Sequence, residues 1–127
     1  MKKLALFAAF LFGAIITQAQ TEIKLDEVAK HVGDSVHVCG KVFSARYFEN
    51  AKNNPTLLNI GAAYPNQTLT VVIYGDVRSQ FSIAPETCFK DQVICIHGKV
   101  ELFKDKPQIV IYSSKQVSVA VKDKLQE

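Results

Sequence analysis

Two seven-residue stretches hold four of the most reactive side chains, in mirrored order. Val36-His-Val-Cys-Gly-Lys-Val42 carries His37 and Cys39, and Ile94-Cys-Ile-His-Gly-Lys-Val100 carries Cys95 and His97. Both alternate with period two, so one face of each strand is aliphatic and the other presents Cys and His. Two thiols can close a disulfide, the first expectation in an oxidising compartment. Two thiols with two imidazoles are also a tetrahedral Zn²⁺ donor set. Cys88 is the third and last cysteine, which makes Cys88–Cys95 a rival bridge. Other chemistry finds little support. There is no Cys-x-x-Cys pair, no Gly-x-Ser-x-Gly elbow and no phosphate-cradling glycine loop. His31 follows a helical stripe, Asp76 and Glu86 stand near turns, and Glu101 shares a strand with Lys99, so spacing supports no acid/base pair. The expectation is a non-enzyme that needs no cofactor.

Which compartment holds the thiols is read from the N-terminus. Met1-Lys2-Lys3 is a short positive region, Leu4 to Ile16 is apolar, and Thr17-Gln18-Ala19 is a small-residue cleavage site. The apolar run falls short of the roughly 20 residues of a membrane-spanning helix, so residues 1–19 read as a secretory signal and the mature chain as periplasmic or secreted, without a membrane span. Of the 127 residues, cleavage leaves 108, and loss of Lys2 and Lys3 takes the net charge from +3 to +1. That composition excludes a strongly basic nucleic-acid clamp and a multidomain enzyme with its own cofactor domain.

The elements that must position these residues are short. Residues 20–24 are a polar lead-in; Leu25, Val28, Ala29 and Val32 have helical spacing, closed by Gly33. Strands are expected over 36–43, 57–60, 68–74, 93–103 and 108–112, with a continuation at 116–119. A brief helix is expected over 77–83, residues 46–56 form a loop, and 122–127 are a frayed tail. Gly40 and Gly98 interrupt two long strands, as bends or bulges do. Five strands, two of them bent at glycine, with a helix between the third and fourth, is the plan of an all-β, five-stranded OB-fold Greek-key barrel over 25–121, preceded by a short helix. A sandwich would need about seven strands.

Closure of such a barrel pairs the two mirrored strands antiparallel. If Cys39 faces Cys95, the paired indices sum to 134 and His37 faces His97. The bridge Cys39–Cys95 is then the preferred reading, because ligands on one flat sheet face converge poorly on a metal; the Zn²⁺ set His37, Cys39, Cys95 and His97 is the alternative.

The stretch from Val32 to Ile111 resembles bacterial OB-fold nucleic-acid-binding domains related to tRNA anticodon-binding modules, a type also found beside secreted nucleases. The resemblance rests on Val38-Cys-Gly-Lys-Val42, Leu57-Leu-Asn-Ile60, Tyr64-Pro-Asn-Gln67 followed by Thr70-Val-Val-Ile73, Ile94-Cys-Ile-His-Gly-Lys-Val100 and Lys106-Pro-Gln-Ile109. It covers about 80 residues and implies the fold more than an activity; hydrolysis is not carried over.

OB barrels bind on the face of the second and third strands, between the loops joining strands one to two and four to five. The first loop supplies Arg46, Tyr47, Phe48 and Lys52, and the second Lys104 and Lys106. Asn59, Tyr64 and Asn66 lie on or after the second strand, and Tyr74 and Arg78 end the third. Cations of this kind contact phosphates and rings stack on bases, so these residues are candidates for sequence-tolerant binding of single-stranded DNA or RNA. The bland reading is that the rings cover the barrel, Tyr64-Pro-Asn-Gln67 is only a turn and Asn59 only ties it to the sheet. A second functional reading is an accessory or stress module that binds a small molecule, an oligosaccharide or a protein through the same face.

Overall fold

β-branched residues fill one side of each long strand, and that side forms the core. The structure, a computed structural model, describes residues 21–120; the expected signal segment and the 122–127 tail lie outside them. Among the described residues there are seven strands: β1 (Thr21–Glu22), β2 (Ser35–Tyr47), β3 (Thr56–Ile60), β4 (Leu69–Ile73), β5 (Val93–Phe103), β6 (Lys106–Ile111) and β7 (Val117–Val119). Two one-turn helices, α1 (Gly75–Arg78) and α2 (Pro85–Cys88), sit between β4 and β5. β2 pairs antiparallel with β3 through its second half and with β5 through its first, β4 pairs parallel with β6, and β5 pairs antiparallel with β6. The order β2-β3-β4-β6-β5 therefore closes on itself. This is the five-stranded OB-fold barrel, with β1 added to β2 and β7 to β5.

The interior is aliphatic. Val36, Val38, Val42, Leu58, Ile60, Leu69, Val71, Ile73, Ile94, Ile96, Val100, Ile109 and Ile111 are all inaccessible or nearly so. Val28, from the N-terminal helix, and Val77 and Phe89, from the segment between β4 and β5, join this core, with Phe81 edge-on to Phe89 at 5.8 Å. Both interrupting glycines are sites of close approach. A Cβ on Gly98 would lie 2.5 Å from Cγ2 of Ile109, and one on Gly40 2.6 Å from Cγ2 of Ile60, so only hydrogen fits at either place.

The structure departs from the sequence expectations at several places. The N-terminal helix over 25–31 is a 3₁₀ helix, held by i→i+3 bonds such as Glu27 N–H to the Lys24 carbonyl (3.0 Å). Seven residues between a sheet and a left-handed glycine (Gly33, φ 93°) give little room for α-helical propagation. The bulge in β2 falls between Val42 and Ser44 rather than at Gly40, where β2 leaves β5 for β3. Instead of one helix over 77–83 there are two short ones, because Pro85 opens α2 at its first position. Residues 21–22 pair parallel with Val36 and His37 rather than forming a free lead-in. Arg46 and Tyr47, expected in a loop, end β2. Among the described residues no helix is long and apolar enough to cross a membrane.

Candidate functional site

The outer face of β3 and β4 forms the floor of a cleft of about 1050 Å³. Cross-strand register builds that floor in two rows. Ser44, Asn59, Thr70, Gln108 and Glu101 are successive partners across β2, β3, β4, β6 and β5, and form a polar row; Arg46, Leu57, Val72 and Val110 form the next, mostly apolar. The polar row is hydrogen-bonded in two groups, Ser44-Asn59-Thr70 and Gln108-Glu101. Gln67 donates to Thr70 Oγ1 (3.1 Å), Thr70 to Asn59 Oδ1 (3.3 Å), and Asn59 to Ser44 Oγ (3.0 Å), while Gln108 donates to Glu101 (2.9 Å). Ser44 Oγ also accepts from the Tyr64 amide (3.3 Å), which fastens the β3–β4 turn to the sheet.

The walls come from strand ends and the loops that join them. Arg46, Phe48, Ala51 and Pro55 line one side, Phe103, Lys104, Lys106, Pro107 and Gln108 the other, and Ala63, Tyr64 and Gln67 one end. The β5–β6 hairpin turns through Lys104 and Asp105 at φ 52° and 66°, the two positive-φ residues of a type I′ turn, which places Lys104 at the tip. Lys106 donates from Nζ to the Pro65 carbonyl and ties hairpin to turn. Cations lie over rings on both walls, Arg46 over Phe48 at 4.7 Å and Lys104 over Phe103 at 5.4 Å. Tyr64 and Phe103 are 71% and 58% exposed, so both rings are accessible to a ligand although Lys104 lies over one of them.

The cleft thus gathers Arg46, Phe48, Asn59, Tyr64, Tyr74, Lys104 and Lys106. Asn59 is buried and bonds Ser44 and Thr70 on the neighbouring strands rather than the turn, which Ser44 holds instead. Lys52 and Asn66 are exposed on neighbouring loops and do not line it. Tyr47 and Arg78 are brought together elsewhere, beside a second hollow of about 880 Å³ that also reaches Tyr74. There the Arg78 guanidinium lies 3.5 Å from the Tyr47 ring centre, donates to buried Thr56 Oγ1 (2.9 Å) and forks onto both Glu86 oxygens, with Nη2 to Oε2 at 3.0 Å. Bidentate pairing and stacking commit this arginine to anchoring β3 and α2, and remove it from the phosphate-contacting set.

The same contact sets the protonation of the pair. The hydrogen bond from Arg78 holds the Glu86 carboxyl below its ordinary value against the opposing effect of burial, and the bond to Glu86 holds the guanidinium pKa higher still. A carboxyl with a depressed folded-state pKa contributes stability that is complete above the unfolded value and lost as pH falls through the folded one. Wild type should therefore lose stability below about pH 4.5, and Glu86→Gln should flatten that part of the profile. Urea unfolding at stepped acid pH measures it; parallel profiles for the two proteins would contradict the assignment.

Phe103, Thr70, Gln67 and Gln108 line the cleft but were not candidates from sequence. For Phe103 the signal was present: a large ring one residue before a Lys-Asp turn projects past the barrel. On the opposite side of the barrel, Cys39 and Cys95 form a disulfide with Cα atoms 4.0 Å apart, and the 134 register holds for every pair from Ser35–Lys99 to Lys41–Val93. Cys88 is free and half-buried. His37 and His97 stack at 4.2 Å; burial first, and then the neighbouring His37, push the His97 pKa down.

No protein-family model matches the chain, and no curated protein matches it in sequence. Among solved structures it is similar to the S. pombe Stn1–Ten1 complex (TM-score 0.48, 16% identity, 72% of this chain and 63% of that one). It is also similar to a chain described as an aspartyl-tRNA synthetase of Leishmania major Friedlin (TM-score 0.50, 8% identity, 84% of this chain and 22% of that one). The chain spans less than two thirds of either, and at these identities the likeness is one of fold.

Proposed function

We propose that the protein is a binding module, not an enzyme, that takes single-stranded nucleic acid along the β3–β4 cleft without sequence preference. The observation that carries this reading is the convergence of exposed rings and three cations, Arg46, Lys104 and Lys106, on the walls of one open cleft on an OB barrel. Phe48, Tyr64 and Phe103 stack on bases while the cations neutralise phosphates. The similarity in fold to a chain described as a tRNA synthetase points the same way.

Three phosphates neutralised on a single strand give a log–log salt slope of about −2. Fluorescence anisotropy with labelled oligo-dT and oligo-U, titrated at rising salt, should return that slope; no binding at low salt removes the reading. The bonded polar row on the floor supports a second reading, an oligosaccharide ligand, whose binding would be insensitive to salt.

We also propose export to the periplasm or beyond, supported by the pattern of residues 1–19 and by a disulfide in the sheet. Expressed in full, the chain should yield a mature form whose N-terminal residue is Gln20 by mass spectrometry of the extracytoplasmic fraction. A retained Met1 would refute export by this signal.

A further inference from the structure

We propose that the outer face of the β2–β5 seam is a reduction-gated site for a borderline-soft divalent cation, Zn²⁺ by its donor set, held by His37, Cys39 and Cys95 with His97 at the fourth position. The ligand atoms of His37, Cys39 and Cys95 already lie within 4.8 Å of one another. Tetrahedral zinc, with Zn–S about 2.3 Å and Zn–N about 2.0–2.1 Å, sets its donors roughly 3.3–3.8 Å apart. His97 stands opposite His37, ring on ring at 4.2 Å. Glu22 Oε1 lies 3.5 Å from Nδ1 of His37, a carboxylate–imidazole contact of the kind that orients a ligating ring.

The bridge is the gate. As a cystine the two sulfurs are not thiolates and bind zinc poorly. A dithiol reductant cleaves the S–S bond by two thiol–disulfide exchanges, takes up the disulfide itself and leaves two thiols; Zn²⁺ then displaces their two protons. The seam keeps the ligands in place after cleavage. Seven residue pairs zip β2 to β5 here, Val36, Val38, Ile94 and Ile96 are buried beneath, and β1 and β7 flank the patch on either side. The sheet's twist brings donors together that a flat sheet would hold apart.

The test uses Co²⁺ titrated anaerobically into the Cys88→Ser protein, so that the only thiols are those of the seam. After reduction by a phosphine, one equivalent should bind with thiolate charge-transfer and intense tetrahedral d–d bands; the oxidised protein should show neither. Glu22→Gln should weaken the reduced site by about 10–100-fold and His37→Ala by more. Absence of the tetrahedral spectrum, or equal affinity in the His37→Ala variant, would overturn the proposal. So would loss of amide-exchange protection in β2 and β5 on reduction, since that would make any binding a property of unfolded chain. None of these outcomes depends on whether the cleft binds nucleic acid.

Discussion

Truncating either exposed ring of the cleft, Tyr64→Ala or Phe103→Ala, is expected to weaken oligo-dT binding by about 1–3 kcal/mol, roughly 5- to 150-fold. Both rings are more than half exposed, so the melting temperature should barely move. Their positions differ, however. Phe103 stands on the hairpin wall under Lys104, and Tyr64 on the turn that Lys106 reaches. A strand running between them loses one stacking partner in each variant, and the double variant should approach the sum. Tyr112 is the control, since it is 74% exposed and does not line the cleft. If Tyr112→Ala weakens binding as much as Phe103→Ala does, the ligand does not lie in this cleft. If neither cleft ring matters, binding there is electrostatic alone or absent.

The largest effect on stability should come from the seam. The Cys39–Cys95 bridge closes a loop across a sequence separation of 56, for which the chain-entropy account gives about 4 kcal/mol. Against the 5–15 kcal/mol that holds a typical domain together, that is a large fraction. Cys39→Ala/Cys95→Ala should therefore move the urea midpoint sharply down and leave a folded barrel, because the aliphatic layer under the seam is untouched. An unchanged midpoint would mean that the bridge constrains little in the unfolded chain. A protein that no longer folds would mean that the bridge, not the aliphatic layer, closes the barrel.

The seam was legible in the sequence and much of the cleft was not, for physical reasons. Mirrored His-x-Cys and Cys-x-His pairs on alternating strands fall into a single register if Cys39 faces Cys95, and the structure has that register. The long strands were legible because Val and Ile repeat with period two. The role of Arg78 was not, because its partners Thr56 and Glu86 lie on separate elements whose approach only closure of the barrel decides. Tyr47 illustrates the same limit. It ends β2 and Phe48 follows it directly, yet that one-residue offset sends Tyr47 to the hollow beside Arg78 and Phe48 to the cleft. The bulge between Val42 and Ser44 sets which residues face which side, and no local composition marks it.

One consequence of β2 serving two neighbours concerns the order of assembly. Its second half meets β3 across a loop of eight residues, whereas its first half must wait for β5, more than fifty residues later in the chain. Contacts so remote in sequence form late, and a chain dominated by them folds slowly. The meander β2-β3-β4 can therefore organise as a local unit while the last seam is still open. A crosslink made early turns that remote pairing into a near one, so the oxidised chain should reach its barrel faster than the reduced chain. In this protein the thiols govern when the barrel closes as well as how firmly.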